Sequence, residues 1–170
     1  MDAAKTDSAP KNATVVDRTS DRELVVTRQV NAPAHLVFKA WTTPALMERW
    51  WVPKSFGITL LSCEIDAWTG GSYRFVFALP NSDQTMAFFG KYLEAVPNAR
   101  LVWTNEESDE GALSTLTLEE KAGVTLVTLH ELYPSKEALD EAIASGSTGA
   151  WPEQFDELDV LLADLGTAGS

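Results

Sequence analysis

His130 is one of two histidines in the 170-residue sequence, and a side chain with an ordinary pKa of about 6.5 can take or give a proton near neutral pH. On the last strand, beside the final helix, it can serve as a general base or anchor a polar group of a ligand. No nucleophile or second base is paired with it in sequence. The plainer account is therefore a histidine near a strand end, solvated or hydrogen-bonded to Glu131 or to backbone. Glu64 and Asp66 share a strand face, and burial there raises a carboxyl pKa and makes a proton carrier. The plainer account for them is surface pairing, with Asp66 at the hairpin that leads to Gly70-Gly71. His35 falls in the first helix and reads as a surface residue. Cys63 is the one cysteine, which excludes an internal disulfide and any cysteine-built metal site. Gly70-Gly71 lacks the spacing and the following Lys-Ser/Thr of a phosphate loop, and there is no zinc, calcium or dinucleotide signature. No metal and no cofactor is expected.

The remaining side chains of functional weight are aromatic. Tyr73, Phe75 and Phe77 alternate along one strand and share a face, with Arg74 and Val76 on the other. Trp50 and Trp51 end a short helix, where large rings can plug the open end of a sheet or contact a ligand, two roles that do not exclude each other. The same parity groups Leu101 with Trp103, Leu116 with Leu118, and Leu126 with Thr128 and His130. It leaves Val127 and Leu129 looking outward as an apolar strip that suits a homodimer. Phe88, Gly90 and Tyr92 alternate with Phe89, Lys91 and Leu93 without a clear inner face, which predicts a bulge in that strand.

These residues need elements to position them. Leu24 to Val30 is rich in β-branched residues and stops before Pro33, which opens a helix through Trp41; a second short helix runs from Ala45 to about Trp50. Strands then follow at about Gly57 to Asp66, Ser72 to Leu79, Met86 to Val96, Arg100 to Asn105, Leu113 to Glu120 and Val124 to Tyr133. Separators of hairpin length make them an antiparallel meander. Ser135 caps a helix from Lys136, interrupted at Ser145-Gly146-Ser147-Thr148-Gly149, and the last helix begins between Thr148 and Pro152. Its stripe of Trp151, Phe155, Leu158, Leu162 and Leu165 must be covered, and the concave face of the sheet is the surface that can cover it. A sheet curled around one long helix leaves an apolar hollow, and such hollows are default binding sites.

Composition narrows the function. At 45% hydrophobic and 22% charged residues, the chain fits one domain. Residues 22–166 form it, 1–21 read as a disordered arm too poor in large apolar side chains to order, and 167–170 as a tail. Thirteen Lys and Arg against 25 Asp and Glu give a net charge of -12, which repels polyanions and makes nucleic acid an unsuitable partner. No signal-type run and no stretch of about 18 apolar residues is present, so membrane insertion is not expected, and a reducing cytoplasm fits best. From Glu131 to Ser170 there are nine acidic residues and one basic, Lys136. That face is either solvated or a dock for a basic partner.

Several strings carry a family resemblance from about Glu23 to Leu165. They are Val30-Asn31-Ala32-Pro33 with Val37-Phe38-Lys39-Ala40-Trp41-Thr42, then Arg49-Trp50-Trp51-Val52-Pro53, then Glu64-Ile65-Asp66 with Gly70-Gly71-Ser72-Tyr73-Arg74-Phe75. Gly90-Lys91-Tyr92-Leu93-Glu94, Arg100-Leu101-Val102-Trp103-Thr104, Gly149-Ala150-Trp151 and Phe155-Asp156-Glu157-Leu158 complete the set. Together they resemble the activator of heat-shock protein 90 ATPase homologue-like family, within the START-like (SRPBCC, Bet v 1-like) superfamily. The resemblance implies an α+β helix-grip fold: a curved antiparallel sheet of six to seven strands around a long C-terminal helix, with two short helices after strand one. Two departures from the family pattern, Trp68 and Val52, fall near the expected pocket mouth.

The expected function is binding a small hydrophobic or amphipathic molecule in the hollow. The net charge favours a neutral or cationic ligand unless a local arginine such as Arg74 overrides it. The expected wall is Trp50, Trp51, Phe56, Tyr73, Phe75 and Phe77 on one side, with Phe88, Trp103, His130, Trp151, Phe155 and Leu158 completing it. The superfamily resemblance also admits a polyketide cyclase-like enzyme using His130 with Glu64 or Asp66, or a chaperone-regulating contact through the acidic helix face or the outer sheet.

Overall fold

The structure is a computed structural model that describes residues 14–52, 55, 57–106, 109 and 111–169, the side chains of 147, 148 and 166–169 excepted. Among the described residues, eight strands form one antiparallel sheet: β1 (Val15–Arg18), β2 (Glu23–Val30), β3 (Thr59–Ile65), β4 (Ser72–Ala78), β5 (Thr85–Val96), β6 (Arg100–Thr104), β7 (Leu113–Lys121) and β8 (Val124–Leu132). Their spatial order is β1-β2-β8-β7-β6-β5-β4-β3, so β3 to β8 is a continuous meander that returns to lie beside β2. Helices α1 (Ala34–Thr42) and α2 (Pro44–Trp50) carry the chain from β2 to the far edge at β3. Helix α3 (Lys136–Ala144), a 3₁₀ turn (Ser147–Ala150) and the long helix α4 (Trp151–Gly169) close the fold. The helix-grip architecture inferred above is the one found.

Local chemistry accounts for the joints. Ala122 and Gly123 both have positive φ, 56° and 81°, the paired left-handed geometry of a two-residue hairpin that joins β7 tightly to β8. Ser135 accepts a hydrogen bond from the Ala138 amide at 3.0 Å and so caps α3. The first amide of α1, at Ala34, is satisfied from a distance by the Glu120 carboxylate on β7, at 2.9 Å. In the core, Val26, Val30, Leu116, Val127 and Leu129 from the sheet meet Val37 and Ala40 of α1 and Phe155, Leu158 and Leu161 of α4. Arg28 points inward from β2, 4% exposed, and its guanidinium grips Asp159 and Asp156 on α4 and donates to Thr14 at 2.7 Å. A buried cation paired with carboxylates on the helix fixes where α4 sits along β2.

Several expectations need correcting. The sheet has eight strands because β1, inside the stretch read as a disordered arm, pairs with β2, Val16 opposite Val26; two adjacent β-branched residues offer an edge that β2 accepts. The rest of the arm, 1–13, lies outside the described residues. Helix α4 runs through Gly169, past the expected start of the tail. The bulge in β5 falls between Tyr92 and Glu94, and another occurs in β3 between Leu60 and Ser62. Parity on β8 is the reverse of that assigned. Val127 and Leu129 are fully buried, while Leu126 is 40% exposed, so they are core and offer no dimer strip. Two large apolar residues occupy the dry face, as burial energetics require.

Candidate functional site

Between α4, the α1–α2 corner, α3 and the concave sheet lies a cavity of about 720 Å³, ten of whose 24 lining residues are aromatic. Strand β4 supplies Tyr73, Phe75 and Phe77, all nearly buried, by simple alternation. Strands β5 and β6 add Phe88, Tyr92, Leu101 and Trp103. Helix α1 contributes Trp41, whose ring centre lies 4.7 Å from Trp50, 5.8 Å from Trp51 and 5.8 Å from Trp103. Trp51 in turn meets Phe75 and Trp151, each at 5.8 Å. Tilted and edge-on contacts of this kind fix the rings against one another, so this aromatic wall is stiff rather than collapsible.

A polar chain crosses one side of this wall. The Tyr73 hydroxyl donates to the Thr104 carbonyl at 2.8 Å and lies 3.2 Å from Asn105 Oδ1. Asn105 Nδ2 donates to the Ala112 carbonyl at 2.7 Å and to Ser114 Oγ at 3.1 Å. Ser114 Oγ donates to Glu131 Oε2 at 3.2 Å, and the Tyr133 hydroxyl donates to Glu131 Oε1 at 3.3 Å. Ser114 and Glu131 are register partners on β7 and β8, which is why they meet. Burial pushes the Glu131 carboxyl above its ordinary range, opposed by the Ser114 and Tyr133 hydrogen bonds. Burial also raises the Tyr133 and Tyr92 phenols, so both stay neutral. Two glycines make room for this chain: a Cβ at Gly90 would stand 2.0 Å from the Thr104 carbonyl oxygen, and one at Gly111 2.0 Å from that of Asn105. Gln154 on α4 donates to the Trp51 carbonyl, tying the helix to the corner.

Of the expected wall, Trp51, Tyr73, Phe75, Phe77, Phe88, Trp103 and Trp151 line the cavity. Phe56 lies outside the described residues. Trp50, Phe155 and Leu158 are fully buried in the core beside the cavity and are not part of its lining. Trp50 donates its indole hydrogen to the Ala40 carbonyl at 3.0 Å, so the plug and the ligand face divide between two neighbours; consecutive helical residues point about 100° apart. Val52 lines the cavity, whereas Trp68 is 61% exposed and does not.

His130 faces outward, with Nε2 2.8 Å from Glu23 Oε2 on β2, a contact that holds the Glu23 carboxyl below its ordinary range. Glu64 and Asp66 are exposed, and Glu64 stands opposite Arg74 on the outer face. The acid–base pair of His130 with Glu64 or Asp66 is therefore not assembled in the cavity. Cys63, beside Tyr92, has its thiol pushed up to about 12 by burial and by Glu48 and Glu64, which leaves it un-ionised at neutral pH. The polar members that sequence reading missed are Asn105, Glu131, Tyr133, Ser145 and Gln154. Glu131 was discoverable: it shares alternation with Val127 and Leu129, the two fully buried apolar positions of β8.

Comparison with known proteins bears on this site. Residues 31–163 match the family model of Activator of Hsp90 ATPase homolog 1-like protein. A Rhodobacter sphaeroides protein of known structure is 28% identical, with a TM-score of 0.81 over 89% of this chain and 99% of its own. A Nitrosomonas europaea protein, 21% identical, gives 0.79 over 88% and 99%. An Aeromonas hydrophila protein described as AHSA1-like, 15% identical, gives 0.60 over 81% and 94%. The last two show likeness of fold alone. No curated protein sequence matches the chain.

Proposed function

Because the chain belongs to the Activator of Hsp90 ATPase homolog 1-like family and encloses an aromatic hollow, we propose that it takes up a small hydrophobic or amphipathic molecule between α4 and the sheet. The observation that carries this is the size and lining of the cavity, about 720 Å³ with ten aromatic residues in its wall. A volume of several hundred Å³ is that of sites for drug-sized ligands, and an apolar wall with a few convergent polar groups is their usual make-up. An unfilled hollow of this size costs stability, since its lining atoms lack partners; a guest of matching shape restores those contacts. The stiff cluster around Trp41 and Trp51 keeps the hollow preformed, which lowers the ordering cost of binding.

Native mass spectrometry of the purified protein looks for a retained small molecule, and a thermal-shift screen of apolar compounds follows. A ligand that binds only the folded state raises the melting temperature by mass action. Ala150→Phe places a ring into the cavity wall and abolishes those shifts while the circular dichroism spectrum stays unchanged. Equal shifts in the filled variant and the unaltered chain would place binding elsewhere and overturn the proposal.

A further inference from the structure

We propose that the molecule taken up is a cationic amphiphile, an apolar chain ending in an ammonium group, with its nitrogen on the Glu131 carboxylate. This inference rests on the cavity being a binding site and specifies the polar end of the guest. Among the described residues no lysine, arginine or histidine lines the cavity, and Glu131 is its one carboxylate. An anionic headgroup would find no cation there. Of the arginines nearby, Arg74 is exposed on the outer face, Arg28 is held by Asp156 and Asp159 under α4, and Arg22 donates through Nε to the Tyr133 carbonyl at 2.8 Å and is not part of the lining.

Hydrogen-bond accounting points the same way. The hydrogens of Tyr73, Asn105, Ser114 and Tyr133 are all spent on protein acceptors. A carboxylate can accept about four hydrogen bonds, and Glu131 receives two, from Ser114 and Tyr133. The unpartnered buried donor of the lining, Trp41 Nε1, belongs to the aromatic cluster with Trp50, Trp51 and Trp103. On the Glu131 side, Tyr73, Asn105, Ser114 and Tyr133 have no unspent hydrogen, so a guest group seated on Glu131 must bring donors. An ammonium brings three, together with the charge that offsets the desolvation of Glu131. Aromatic faces elsewhere on the wall add cation–π attraction, and the net charge of -12 favours cations at long range.

The test compares decylamine, decanol and decanoate, each below its self-association concentration, by calorimetric titration of the full chain at neutral pH. Decylamine is expected to bind at least about tenfold tighter than decanol, and decanoate weakest of the three. Glu131→Gln removes the amine's advantage over decanol, and an unchanged circular dichroism spectrum reports that the variant is folded. If none of the three binds, the small-molecule reading itself fails. If decanol binds and decylamine is no tighter, the reading stands and the cationic specificity is overturned. An amine advantage that survives in Glu131→Gln overturns it as well, since the nitrogen then sits on another group. The order of the three probes on the unaltered chain decides the matter even if the variant does not fold.

Discussion

Replacing Gly90 by alanine puts one methyl group where β5 runs under the end of β6. The added carbon would stand 2.0 Å from the Thr104 carbonyl oxygen and 2.9 Å from its Oγ1, more than an ångström inside ordinary contact with backbone that cannot swing aside. Relief requires β5 and β6 to part locally. That movement breaks the Lys91 amide to Thr104 Oγ1 bond of 2.9 Å and pulls the Thr104 carbonyl from the Tyr73 hydroxyl, now at 2.8 Å. Two lost hydrogen bonds at about 1 kcal/mol each and overpacking of about 1–3 kcal/mol give a loss of about 3–5 kcal/mol. Against a domain stability of about 5–15 kcal/mol this is large. Urea unfolding followed by tryptophan fluorescence measures it, with Gly149→Ala as control. At Gly149 a Cβ meets nothing within 4 Å, so that change stays within about 0.5 kcal/mol. If Gly90→Ala unfolds within about 1 kcal/mol of the unaltered chain, the strands do not approach as described and the reasoning fails.

Three further outcomes follow from the same geometry. The folded state holds the Glu131 carboxyl above its ordinary range, so its contribution is present in acid and is lost as pH rises through the folded pKa. Each tenfold difference in proton affinity between the folded and unfolded chain is worth about 1.4 kcal/mol. Glu131→Gln cannot titrate and gains on the unaltered chain from acid to neutral pH; parallel stability profiles would refute this. Arg28→Ala strands Asp159, partly buried beside it, and loosens α4 from β2 at a cost of about 2 kcal/mol, read as a lower urea midpoint; an unchanged midpoint means the contact is idle. Trp50→Ala, in the closed core with its indole bonded to Ala40, costs about 3–5 kcal/mol. Trp51→Ala, on the cavity wall, costs less and weakens apolar ligand binding more; the reverse ranking sinks the division of labour between the two rings.

The chain's linear pattern fixed the element order and the aromatic wall for a simple reason. Alternation along β4 puts Tyr73, Phe75 and Phe77 on one face whatever the rest of the fold does, and the stripe on α4 needs a cover. Alternation alone did not choose the face of β8, because Leu126 on one side and Leu129 on the other each satisfy an apolar reading. Grouping Leu126, Thr128 and His130 on the inner face reversed the strand and hid Glu131. Nor did parity separate Trp50 from Trp51, since both rings suit a buried corner. The acidic face expected from Glu131 onward is smaller than the sequence suggests, because Glu131 turns into the cavity and Asp159 onto Arg28.

By itself the sequence determined that the chain builds a curved antiparallel sheet around a terminal helix, because periods of two and of about 3.6 residues are properties of the local backbone. Only the tertiary structure decided which side of β8 is wet, that Ser114 and Tyr133 converge on Glu131, and that β1 adds an eighth strand. Those outcomes depend on strand register and on contacts between residues far apart in the chain, where the energy is set by which groups are excluded from water together.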